Sequence, residues 1–304
     1  MSRIFDALQR SVAEQSGVEY PDLMSAVAAS FEFPAEQARI QPDEKARVPS
    51  LDPPEKASTA SFEESASTRA LDFPSLEVQV GPSSRLVFLT DADGLAAEKF
   101  RFLGIRLRHL RQSRTLKKVL ITSTIPEEGK SLVSANLAGV LAGKKQKVLL
   151  IEGDLRRPVL MLQFGLRSLA GLGEWLKSGQ QQISGIYYLR GPNLWLMPAG
   201  HAPENALELM QTGCLAHLMS ELTSMFDWII VDSPPLLPLG DTSVWTRLTD
   251  GTLLVAREGK TQREPLQRGI ELLKKSDLIG VVLNGCMDLN QRTYYQYYSP
   301  AEKK

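Results

Sequence analysis

Ile121-Thr-Ser-Thr-Ile-Pro-Glu-Glu-Gly-Lys-Ser131 is the stretch whose reading decides the fold. It sits between a β-branched apolar run, Lys118-Val-Leu-Ile-Thr122, and an Ala/Leu/Val-rich segment, Ser131 to Leu141, with helical spacing. A turn of this kind aims backbone N–H groups and a helix N-terminus at an anion. Lys130 can reach terminal phosphates, and the Ser131 hydroxyl can sit on a magnesium ion. The strict phosphate-loop pattern has a Gly five residues before the Gly-Lys pair, and Thr124 stands there. The loop therefore needs support from the rest of the chain.

Further apolar strand candidates supply it: Val148–Ile151, Leu194–Met197, Trp228–Val231, Thr252–Val255 and Gly280–Leu283. Between them, Leu207–Thr223 and Pro265–Lys275 have helical composition, and Ala96–Arg111 carries Phe100, Leu103, Leu107 and Leu110 on one side. Near-continuous apolar strands alternating with helices predict an α/β fold, a mostly parallel sheet with helices on both faces. In such sheets ligands bind beyond the carboxyl ends of the strands.

Carboxylates stand at those ends. Val148-Leu-Leu-Ile151 runs into Glu152-Gly-Asp154-Leu-Arg-Arg-Pro158, and the i, i+2 spacing predicts both acids on one side. One can support magnesium and the other can accept a proton from an attacking hydroxyl. Trp228-Ile-Ile-Val231 leads into Asp232-Ser-Pro-Pro235, an acidic partner for a phosphate loop. Asn284, closing the last strand, can hydrogen-bond a nucleobase edge or simply end the strand.

The flanks differ in character. Ser2 to about Glu14 reads as a short amphipathic helix, residues 1–15, with Ile4, Phe5, Leu8 and Val12 on one face. Residues 16–84 are dominated by Pro, Ser, Ala and Glu and read as a disordered linker. Residues 85–288 form the expected ordered domain, and 289–304 a polar tail carrying Tyr294, Tyr295, Tyr297 and Tyr298. Clustered in a hydrophilic terminus, these tyrosines suit an acceptor that enters an active site.

Composition excludes several classes. Lys+Arg and Asp+Glu both total 35, so bulk electrostatic binding to nucleic acid or anionic lipid is not expected. Cys214 and Cys286 lie far apart without metal-ligand spacing, which fits a reducing cytoplasm. No apolar run reaches the roughly 20 residues of a membrane span, so a cytoplasmic protein is expected.

Together these segments resemble the bacterial tyrosine kinases of capsular and exopolysaccharide biosynthesis. The resemblance runs from about Leu86 to Tyr298 and rests on Pro126–Ser131, Leu150–Pro158, Ile229–Pro235 and the tyrosine tail. Smaller echoes are Gly171-Leu-Gly-Glu-Trp-Leu176, Pro198-Ala-Gly200 and Gly280-Val-Val-Leu-Asn284. It implies a phosphate-loop NTPase fold of the Min/Par type and ATP-dependent autophosphorylation of the tail with Mg2+. Pro126, Glu127, Glu128, Gly129, Lys130, Ser131, Leu132 and Asn284 would surround the nucleotide. Ser131, Asp154 and Asp232 would serve the metal, and Glu152 would occupy the position of the base. The resemblance also implies a separate membrane-spanning chain-length or co-polymerase activator that recruits the kinase to the membrane. A phosphotyrosine phosphatase would reset the tail, and subunit contacts at Glu98 and Arg101 would build a homo-oligomer, in some members a ring.

Three positions depart from the family pattern. Glu127 replaces a Gly, and a side chain there is expected to resist φ > 0 while its charge opposes phosphate. Glu152 replaces an Asp and is one methylene longer. Gly104 interrupts the Glu-x-x-Arg-x-x-Arg contact pattern begun by Glu98 and Arg101, leaving Arg106 on a different helix face. A Min/Par positioning ATPase would carry a second Lys where Ile125 stands, and it has no use for a tyrosine tail. A nucleotide-binding scaffold without catalysis is the reading that Glu127 and Glu152 favour.

Overall fold

The structure, a computed structural model, describes residues 73–143, 146–178, 182–237, 240–273 and 277–286. The expected N-terminal helix, the linker as far as residue 72 and the tyrosine tail lie outside the described residues. Eight described strands form one sheet: β1 (Ser75–Glu77), β2 (Lys118–Ser123), β3 (Val148–Glu152), β4 (Tyr187–Arg190), β5 (Leu194–Met197), β6 (Trp228–Asp232), β7 (Gly251–Arg257) and β8 (Leu278–Asn284). Their spatial order is β1-β4-β5-β3-β6-β2-β7-β8. All neighbours pair parallel except β4 with β5, so the expected α/β architecture is observed.

The described helices are α1 (Val87–Thr90), α2 (Leu95–Ser113), α3 (Lys130–Ala142), α4 (Leu160–Gln163), α5 (Leu172–Lys177), α6 (Ala206–Gln211), α7 (Gly213–Met225), α8 (Asp241–Leu248) and α9 (Arg263–Leu273). Strand residues alternate between two apolar layers, as period-two geometry requires. Val119, Ile121, Val148, Leu150, Trp228 and Ile230 join one layer with Leu107 of α2 and Val133, Leu137 and Leu141 of α3. Leu120, Leu149, Ile151, Ile229 and Val231 join the other with Trp175, Met210, Leu218, Leu222 and Trp245. Helix α3 buries ten of its thirteen residues. A helix apolar on all sides belongs inside, and here the phosphate-loop helix is wedged between the sheet and α2.

Two sequence expectations are corrected. The expected linker over residues 16–84 ends earlier, since Ser75–Glu77 pairs with Tyr187–Arg190 as an outer strand and Leu86 is fully buried. A three-residue strand has no periodicity to read, and its partner lies more than a hundred residues away. The helical stretch Leu207–Thr223 is two helices, broken at Thr212, whose extended backbone ends α6 and caps α7.

Candidate active site

The carboxyl ends of β3, β6, β2, β7 and β8, adjacent in the sheet, converge on one cavity of about 880 Å3. That volume suits a nucleotide-sized ligand. Pro126, Glu127, Gly129, Lys130, Ser131, Leu132, Asp154 and Asn284 all line it.

Gly129 takes φ +95°, a left-handed conformation that L side chains avoid. A Cβ there would also fall 2.1 Å from Asn284 Nδ2. Its left-handed turn starts α3 and leaves the first-turn N–H groups free to meet an anion. Glu127 also adopts a positive φ, +64°. The side chain that was expected to resist this geometry adopts it all the same, in a region where a residue with a Cβ is strained. Its carboxylate turns outward to accept from Lys260 Nζ at 2.6 Å, while Arg257 donates to its carbonyl at 3.2 Å. The hydrogen bond and charge of Lys260 hold the Glu127 carboxyl below its ordinary value, with Arg157 and Arg257 adding to the effect.

Glu128 faces the other way. Fully buried, it accepts from Thr124 N at 2.7 Å, Ile125 N at 3.0 Å and the Thr124 and Thr261 hydroxyls. Its side chain thus braces the loop from within, and the residue, expected beside the nucleotide, does not line the cavity. Asn284 Nδ2 donates to the Glu128 carbonyl at 2.9 Å. Neither the nucleobase nor the strand-end reading of Asn284 anticipates this contact, in which its amide donor serves the loop.

Lys130 Nζ donates to Asp154 Oδ2 at 2.9 Å and lies 3.3 Å from Ser131 Oγ. Burial works against its ammonium, but the charges of Asp232 and Asp154 outweigh it and raise the Lys130 pKa. Asp154 Oδ1 accepts from Arg157 N at 3.0 Å. Asp232 is fully buried, and Ser134 Oγ donates to its Oδ1 at 3.3 Å. Its other oxygen has no hydrogen-bond partner. Burial pushes the Asp232 carboxyl up to about 6, against the opposing pull of Lys130 and Ser131.

Glu152, expected at the position of the base, is held by backbone donors. Oε1 accepts from Val159 N and Leu160 N, both at 2.5 Å, and Oε2 from Ala199 N at 3.1 Å. Three backbone donors occupy both oxygens, and the residue is fully buried. Burial nonetheless pushes its carboxyl up, and the three donors pull the other way. The extra methylene carries the carboxylate to the start of α4 and the end of β5, so Glu152 and Asp154 hold different partners. Gly153 between them admits no side chain, because a Cβ would meet Trp245 Nε1 at 2.7 Å.

Among the described residues no group of three or more His, Cys, Asp or Glu side chains could hold a metal by itself. Mg2+ seldom requires one, since it keeps waters and shares substrate phosphates. The orphaned Asp232 Oδ2, with the Ser131 hydroxyl and the Asp154 carboxylate nearby, forms a hard oxygen set that fits it.

Glu98 and Arg101 pair with each other within α2, and Arg101 also donates to the Ala92 carbonyl. Sequence reasoning missed Ser134, Arg257, Lys260 and Thr261. Ser134 lies one turn from Lys130 on a recognisable helix, so helical spacing could have found it. The other three come from a turn without any motif.

No family model matches the chain. It is 33% identical over 215 residues to the tyrosine-protein kinase YwqD of Bacillus subtilis, covering 70% of this chain and 90% of that one. The chain belongs to the bacterial tyrosine-protein kinase family. The succinoglycan biosynthesis transport protein ExoP of Rhizobium meliloti is 31% identical over 212 residues, 68% of this chain and 27% of ExoP. The solved kinase domain of Escherichia coli tyrosine kinase ETK superposes with a TM-score of 0.64 at 28% identity, covering 67% of this chain and 81% of that one. Membership makes the chain a tyrosine-protein kinase with a phosphate-loop kinase fold. The converging strand ends bring a loop, a lysine and two carboxylates together beside one cavity.

Proposed function

We propose that this kinase transfers the γ-phosphoryl group of ATP to its own carboxyl-terminal tyrosines, and that the modification regulates polymerisation and export of a capsular polysaccharide or exopolysaccharide. The observation that carries the reading is the Lys130–Asp154 pair at the mouth of α3, on a nucleotide-sized cavity. The tyrosine cluster Tyr294, Tyr295, Tyr297 and Tyr298 supplies the acceptor. A bond forms from a tyrosyl oxygen to the γ-phosphorus, the bond to the ADP oxygen breaks, and the phenolic proton leaves.

Lys130 and the N–H groups of Gly129 to Leu132 bind and orient the phosphates. Glu152 would occupy the position of the base, its carboxylate oriented by the N–H groups of Val159, Leu160 and Ala199, and Asp154, on the cavity wall beside Lys130, would support the metal. Ser131, Asp154 and Asp232 would hold Mg2+, which supplies charge neutralisation to the phosphates.

An activator with a membrane-spanning segment would recruit the chain to the membrane, where a phosphatase would reverse the modification. Among the described residues no helix is long and apolar enough to cross a membrane. The polysaccharide and activator assignments draw support from ExoP, a transport protein in which the region similar to this chain is 27% of the whole. Half-buried Glu98 and Arg101 are the proposed oligomer contacts. Incubating the full chain with ATP, Mg2+ and an activator's cytoplasmic tail, then mapping phosphotyrosine, tests the reading. Label should appear on the cluster and vanish with Lys130→Met; a signal that survives Lys130→Met belongs to another kinase.

A further inference from the structure

The turn between β7 and α9 does more than connect them. Within five residues, counting the last of β7, three side chains reach the phosphate loop: Arg257 to the Glu127 carbonyl, Lys260 to the Glu127 carboxylate and Thr261 to the buried Glu128 carboxylate. Thr261 Oγ1 also accepts from Arg257 N at 2.7 Å, which ties the turn to itself. These contacts meet the two residues that immediately precede Gly129 and Lys130.

Glu127 is where such support is needed. Its φ of +64° is strained for a residue with a Cβ, and the residue is part of the cavity wall. Left alone, the side chain would favour relaxation of the loop and set a negative charge beside the phosphates. Lys260 answers both problems with one contact, the ammonium 2.6 Å from Oε2.

We propose that Lys260 is a positioning residue of this kinase, holding Glu127 in its left-handed conformation and neutralising its carboxylate so that the loop stays aimed at the nucleotide. The proposal rests on the reading of the cavity as the ATP site. Lys260 acts through Glu127 and does not line the cavity itself. Its influence therefore depends on what stands at position 127.

The test is a double-mutant cycle on the full chain, with Mg·ATP affinity measured by calorimetry and thermal stability recorded in parallel. Lys260→Ala should weaken ATP about three- to tenfold, more than exposed pairs usually transmit because the freed carboxylate belongs to the loop that binds phosphate. Lys260→Arg should restore affinity to within about twofold of the parent, since it keeps the charge. In a Glu127→Gly background, which removes both strain and charge, Lys260→Ala should change affinity less than about twofold. An equal loss in that background means that Lys260 touches the nucleotide directly and overturns the proposal. So does a Lys260→Ala variant that loses thermal stability but keeps full affinity. If the parent chain binds no Mg·ATP at all, the ATP-site reading itself falls.

Discussion

Asp232 shows at residue scale how stability and function oppose one another. With its folded pKa raised to about 6 from the ordinary aspartate value, the native state binds more protons than the unfolded state between about pH 4 and pH 6. Stability therefore falls as pH rises through that window and levels off above it. Asp232→Asn should raise thermal stability at pH 7–8, by on the order of 1–3 kcal/mol, and have little effect below pH 4. The same variant should lose Mg2+-dependent activity, and Mg2+ affinity of the parent should fall below about pH 6 as Oδ2 takes up a proton. Melting curves against pH for both proteins decide it; a parent more stable than the variant at pH 8 would contradict the account. Little of this was legible in sequence. Asp232 could be read as a strand-end acid, but its burial depends on Ser134 and on the packing of α3. Glu127 was half legible for a related reason: position 127 announces its backbone demand, while the cation that pairs with it sits at position 260, with no local signal linking the two.

Among the elements, the phosphate loop is braced by β8 and by the β7–α9 turn as much as by its own glycines. Gly129→Ala would place a methyl group 2.1 Å from Asn284 Nδ2 in a backbone conformation hostile to it, so the variant should lose measurable nucleotide binding. Asn284→Ala removes the 2.9 Å hydrogen bond to the Glu128 carbonyl. Since a bond of this kind contributes about 0.5–1.5 kcal/mol, affinity should drop by up to roughly tenfold. Because the amide holds the loop, ATP and GTP should weaken equally in calorimetry; a loss confined to ATP would restore the base-reading role. Strands ending in acids were legible because long β-branched runs between helices have few alternative readings. The outer strands Ser75–Glu77 and Tyr187–Arg190 were not, since short polar edges gain their pairing from partners distant in sequence.

At the scale of the molecule, the sheet order brings five strand ends to one edge, and a cation, two carboxylates and a loop of N–H donors meet there. The chain's relatives act on tyrosine, and its own sequence carries four tyrosines in a short terminal stretch. The central claim is that the two belong to one reaction. It is tested most directly by phosphotyrosine mapping of the full chain after incubation with ATP, Mg2+ and an activator tail. Modification should fall on Tyr294, Tyr295, Tyr297 or Tyr298 and disappear in Lys130→Met and Asp154→Asn. An unmodified cluster under those conditions, with ATP bound, would contradict the account and leave a nucleotide-binding scaffold in its place.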